Sequence, residues 1–113
     1  MAIYITQGNY TREAIQGMIS KPEDRATAVA ALAKAAGAKM LNYYVTFGEY
    51  DFLVIMEGGA RRSATDTMAA LMTAAATGGV CNLKTTVAVS SKESMKAMRA
   101  AKKIQLGFKP AGA

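Results

Sequence analysis

The chain has no histidine, no tryptophan, one cysteine and two prolines in 113 residues. The missing histidine removes the commonest general base, proton shuttle and metal ligand. A structural zinc needs several Cys or His donors, and Cys81 alone supplies one. No metal site is expected, and no cofactor. Cys81 cannot form a disulfide within the chain, which points to a reducing, cytoplasmic setting. No apolar run approaches the about twenty residues that span a bilayer. The N-terminus lacks the basic-then-apolar pattern of a signal peptide. There is neither a phosphate-binding glycine loop nor a nucleophile-elbow motif.

What the chain does have is apolar material. Hydrophobic residues make up 51% of it, enough for the core of one domain. Charge is unevenly spread. Residues 90–113 carry six basic side chains against Glu93 alone, a net of +5, while residues 1–89 carry eight against seven, a net of +1. The chain therefore divides into a body, 1–89, and a basic helical tail, 90–113. Lys92, Lys96, Arg99, Lys102 and Lys103 are the residues that would meet an acidic partner. Nucleic acid is a less favoured partner, and a merely solvated tail is the bland alternative.

Periodicity orders the elements. Residues 2–7 read as a strand, and Thr11 is a plausible cap for the helix that follows. Ser20-Lys21-Pro22-Glu23 reads as a capping box that starts or restarts a helix through Ala36, stopped by Gly37. Its buried stripe would be Ala26, Val29, Ala30, Leu32 and Ala33. Strands are expected at 39–47 and 50–57. Ser63 should then cap a helix with Met68, Leu71, Met72 and Ala75 on its buried face. Residues 80–89 form a fourth strand, and Ser90 caps a third helix to about Lys103. The order is βαββαβ with an antiparallel sheet: an α+β, ferredoxin-like split βαβ arrangement.

Residues 40–57, MLNYYVTFGEYDFLVIME, form a hairpin turning at Gly48-Glu49. Gly48-Glu49-Tyr50-Asp51, between a tyrosine-rich and an apolar strand, resembles the signature of the GYD domain family. The Ile3-Tyr4-Ile5 strand and the Ala-rich helix ending at Gly37 fit the same pattern. The resemblance covers about residues 1–89. It implies the dimeric α/β-barrel (ferredoxin-like) fold of small bacterial and archaeal proteins, and no particular activity.

The hairpin argues for an oligomer on its own account. A turn at Gly48-Glu49 pairs Val45 with Phe52 and Tyr44 with Leu53. One face then holds Leu41, Tyr43, Val45, Phe47, Tyr50, Phe52, Val54 and Met56, and suits the helices. The other holds Asn42, Tyr44, Thr46, Asp51, Leu53 and Ile55, which is too apolar to lie open. In a small domain the simplest cover is a second copy, so a homodimer or higher oligomer is expected. The competing cover is the tail helix.

Candidate chemistry is sparse. Asp51 is a possible base, with Tyr50 or Tyr44 donating a hydrogen bond. Equally, an Asp beside a turn fixes backbone groups. Tyr4, Tyr43, Tyr44 and Tyr10 are candidates to line a cavity for a small apolar ligand, with Thr46 and Lys84 beside them. The methionine pairs read as core rather than as copper ligands. Two functions follow. One is a homo-oligomeric binding or interaction module. The other, implied by the resemblance to dimeric α/β barrels, is a cofactor-independent oxygenase or isomerase acting on a small aromatic or quinone-like ligand.

Overall fold

The computed structural model describes residues 2–59 and 64–113. The elements run β1 (Ile3–Tyr10), α1 (Arg12–Ser20), α2 (Arg25–Ala35), β2 (Ala38–Val45), β3 (Phe52–Gly58), α3 (Ala64–Ala76), β4 (Val80–Ala88) and α4 (Ser91–Ile104), then a 3-10 turn, Gln105–Gly107. The four strands form one sheet in the order β2-β3-β1-β4, every pair antiparallel. This is an α+β architecture of the ferredoxin-like kind.

Local chemistry explains most boundaries. Thr11 caps α1 by accepting from Ala14 N, and its own hydroxyl donates to Gly78 O at 2.7 Å. One side chain thus joins the start of α1 to the approach to β4. Gly37 ends α2 in the left-handed region at φ +79°, where a Cβ would be strained. Ser90 Oγ accepts from Glu93 N at the start of α4. The expected Ser63 cap of α3 lies outside the described residues.

The expected capping box at Ser20 does not form. Ser20 is the last residue of α1, and Asp24 caps α2 by accepting from Ala26 N at 2.9 Å. Pro22 explains the break: it forces Lys21 out of the helical region, to φ −139°, ψ 87°.

The hairpin keeps its expected register and loses its tight turn. Val45 faces Phe52 and Tyr44 faces Leu53, while residues 46–51 form a longer loop. Thr46 closes that loop, its N–H donating to Asp51 O and its hydroxyl to Tyr50 O. A bulge at Leu41 changes the inner face. Met40 sits opposite Met56 and packs on the core, and Leu41 is 38% exposed. Val45 and Phe47 are also exposed, contrary to the expected helix-facing row: at the hairpin end open space separates them from Ile15 and Met18 of α1 and Ala26 of α2.

The helices cover the inner face thinly. Phe52, Val54 and Met56 of β3 are buried, with Ala33 of α2 and Ala70 of α3. Val29, Ala38, Met40 and Tyr43 pack around Ala33, Val54 and Met56. On α3 the buried residues are Thr67 and Ala70, not the expected Met68 and Met72, which are exposed. Both sets have helical spacing, and the small one allows the closer approach to a sheet. On the outer face Ile3, Ile5 and Gln7 of β1 align with Glu57, Ile55 and Leu53 of β3. Tyr44 and Asn42 extend that face on one side, and Lys84 and Thr86 on the other.

β1 and β4 share a bulge between Gln7 and Asn9. Gly8 fits tightly there: a Cβ would lie 2.7 Å from Leu83 Cδ2, 2.8 Å from Phe52 Cζ and 3.2 Å from the Cys81 carbonyl. α4 leaves this body. Its main contact is with the 3-10 turn that follows it. The chain extends 60 × 34 × 22 Å with a radius of gyration of 17.8 Å, against about 13 Å for a compact chain of this length. No described helix is long and apolar enough to cross a membrane.

Candidate ligand-binding site

Between the inner face of the sheet and the helices lies a cavity of about 760 Å³. β1 and β3 supply its floor through Thr6, Tyr10, Phe52, Val54 and Met56. α2 contributes Val29 and Leu32, and α3 contributes Leu71 and Ala74. The cavity follows from the small residues on the helices. Alanine faces bring backbone close along one line and leave unfilled space beside it.

One end of the cavity is aromatic. The Tyr10 and Tyr43 hydroxyls are hydrogen-bonded to each other. Phe52 lies beside both rings, tilted at 37° to Tyr10 (5.2 Å between centroids) and nearly parallel to Tyr43 (9°, 6.1 Å). A second cavity of about 320 Å³ shares Tyr10, Met18, Glu23, Arg25 and Tyr43 with the first, and adds Thr46 and Asp51.

The electrostatics suit binding. Burial pushes the Tyr43 phenol well above its ordinary value, and its hydrogen bond and proximity to Tyr10 push the same way. The Arg25 guanidinium opposes that shift without overcoming it. Tyr43 is therefore a neutral donor at physiological pH. Two hydroxyls hold two protons, and one proton closes the bond between them. The other is free for an acceptor on a bound molecule. Arg25 also pairs with Glu23 at 3.1 Å.

Asp51 is committed to the backbone. Its Oδ2 accepts from Tyr10 N at 3.0 Å and from Asn9 Nδ2 at 3.2 Å. Its own N–H donates to Gly8 O at 2.8 Å. Asn9 Nδ2 reaches Glu49 O as well, at 3.1 Å. The carboxylate thus reaches across to β1 instead of lying with Thr46 on the outer face. Of the sequence candidates, Tyr43, Thr46 and Asp51 come together around Tyr10. Tyr50 contributes its carbonyl to Thr46. Tyr4 lies on the inner face toward the far end of β1, opposite Met56 and Val87. Tyr44 is on the outer face, 53% exposed, its hydroxyl accepting from Asn42 Nδ2. Lys84 is on the outer face opposite Gln7. Lys92, Lys96, Arg99, Lys102 and Lys103 are exposed along α4 and line neither cavity. Arg25 is the site residue the sequence reading missed. Its signal is its position, directly after the Asp24 cap and so in the first turn of α2.

Fold and site together define a small α+β domain with an apolar cavity ending on a phenol pair. The GYD domain family matches residues 4–98, and the chain belongs to that family. No curated protein matches it. Two solved structures are similar. One, titled crystal structure of FFRP-DM1, is 17% identical, covers 79% of this chain and 100% of its own, with a TM-score of 0.47. The other, a hypothetical protein PHS023 from Pyrococcus horikoshii, is also 17% identical and covers 80% of this chain and 93% of its own, with a TM-score of 0.46.

Proposed function

We propose that this GYD-domain protein is a homodimeric binding module that holds a small, apolar, aromatic or quinone-like molecule in the inner-face cavity. The observation that carries this reading is the phenol pair: a neutral donor at the end of an apolar cavity, with Asp51 already engaged by backbone. Binding needs a donor and apolar walls, and both are there. General-base catalysis needs a free base at the same spot; of the carboxylates beside the phenol pair, Glu23 is paired with Arg25 and Asp51 Oδ2 already accepts two hydrogen bonds.

The dimer would form through the outer sheet face. Ile3, Ile5, Leu53, Ile55 and Tyr44 make that face too apolar to remain open in a small domain. Two sheets laid face to face would give the dimeric barrel and leave both cavities on the outside of it. Light scattering should report twice the chain mass, and Leu53→Glu should halve it. A monomeric mass for the unaltered protein would remove the dimer from this reading.

The ligand is tested by titration with menadione, a naphthoquinone, followed by tyrosine fluorescence. The absence of tryptophan leaves that signal clean. Saturable quenching that weakens about fivefold to tenfold when both hydroxyls are removed (Tyr10→Phe with Tyr43→Phe), the effect of one lost hydrogen bond to the ligand, supports the site. Unchanged affinity in that variant rules it out. Oxygen-dependent turnover of the hydroquinone, lost in Tyr43→Phe, would replace this reading with an enzymatic one.

A further inference from the structure

α4 has two unlike faces. Lys92, Lys96, Arg99 and Lys103 recur at helical spacing, so they form one basic stripe along its length. Ala97, Met98, Ala101 and Ile104 recur on the opposite side. Met98 is 64% exposed and Ile104 70%. Leu106 and Phe108, just beyond the helix, are 87% and 73% exposed. α4 makes no substantial contact with the sheet. Its start is fixed by the Ser90 cap, and Met98 and Ile104 stay exposed along it.

The partner must satisfy both faces. Residues 1–89 are close to neutral, with a net of +1, so a second copy offers the basic stripe no opposing field. With alanine at two of its four positions, the apolar stripe is a weak anchor alone and needs a second attraction. A bilayer bearing anionic phospholipid supplies both. A helix with one weakly apolar face, a Lys/Arg-rich polar face and low overall hydrophobicity lies in the headgroup layer. Its cations, carried on flexible stems across a helix about 10 Å wide, stay within about one Debye length of the lipid phosphates. Lys102 flanks Met98 at the edge of the apolar stripe, where its stem lies along the acyl boundary and its ammonium reaches up.

We propose that α4 and the segment to Phe108 dock the protein on an anionic phospholipid surface, with Met98, Ile104 and Phe108 in the acyl boundary and the basic stripe over the phosphates. This arrangement is peripheral and leaves the cavity untouched.

The test uses the full chain and two vesicle preparations, phosphatidylcholine alone and phosphatidylcholine with phosphatidylglycerol, in co-sedimentation. Binding should be confined to the phosphatidylglycerol vesicles and should fall steeply as salt rises. Lys96→Glu with Arg99→Glu should weaken it roughly tenfold or more. Met98→Ser with Ile104→Ser should weaken it comparably while every charge is kept. Circular dichroism and the melting temperature control for folding, and both pairs lie on exposed surface. Equal binding to neutral vesicles, or none to either, overturns the proposal. So does tight binding to single-stranded RNA that the Met98→Ser, Ile104→Ser variant leaves intact, which would identify a polyanion as the partner. A halved mass of that variant in light scattering would assign the apolar stripe to a second copy instead.

Discussion

Replacing Asp51 separates a structural carboxylate from a catalytic one. Asp51→Ala removes two charged hydrogen bonds, from Tyr10 N and Asn9 Nδ2, both part-buried. A hydrogen bond to a charged group contributes about 1.5 kcal/mol in such a setting, so the loss is about 3 kcal/mol. Unfolding entropy near 2.1 cal/mol/K per residue gives a chain of 113 residues about 0.24 kcal/mol per degree. The melting temperature should therefore fall by roughly 12 °C. Asp51→Asn keeps an acceptor oxygen and loses only the charge assistance. It should cost about 1 kcal/mol, or roughly 4 °C. Thermal unfolding followed by far-UV circular dichroism measures both. A double-mutant cycle with Asn9→Ala should then show coupling of about 1 kcal/mol, because the pair shares one bond. A drop below about 3 °C for Asp51→Ala would refute the tether. It would return Asp51 to the catalytic candidates.

Tyr43 predicts the alkaline limb of stability. Its folded-state pKa is raised above the ordinary value of 10.0, so the unfolded chain loses that proton first. The stability contributed is complete below pH 10 and falls as pH rises above it, by up to about 1.4 kcal/mol per pH unit. Urea midpoints between pH 8 and 11 should show this slope in the unaltered protein and a shallower one in Tyr43→Phe; parallel slopes would contradict it. At Gly8 a methyl group meets Leu83 Cδ2, Phe52 Cζ and, at 3.2 Å, Cys81 O. The two side chains can give and the carbonyl cannot, so Gly8→Ala should destabilise by about 1–3 kcal/mol in urea unfolding. A loss under about 0.5 kcal/mol would mean that the bulge relaxes freely.

Much of the fold is legible because its signals are local. Thr11, Ser90 and Gly37 each act within a few residues, and each marks the boundary where it stands. The pairing of Val45 with Phe52 follows from chain symmetry about Gly48-Glu49, and survives the longer loop. What escapes the sequence is set at long range. Asp51 finds its partners about forty residues away, on a strand that no local rule brings beside it. The bulge at Leu41 leaves no mark, since Met40 and Leu41 are equally fit for the core. On α3, Met68 and Met72 have the size expected of buried residues, yet Thr67 and Ala70 face in. The phenol pair joins Tyr10 at the end of one strand to Tyr43 inside another, which requires β3 to sit between β1 and β2.

The strand order also sets a timetable for the growing chain. β1 is central, yet it is made first, and both of its neighbours come much later. Gly8 waits for Phe52, and Ile3 waits for Ala88. At about 5–20 residues per second, the first strand spends on the order of 4–17 s before its last partner is synthesised. Meanwhile β2 and β3 can pair across their short loop, and α2 can pack on β2. The hairpin therefore assembles as a template, onto which β1 docks and β4 closes. Substitutions in β1 should be felt at the end of folding and those in the hairpin at its beginning.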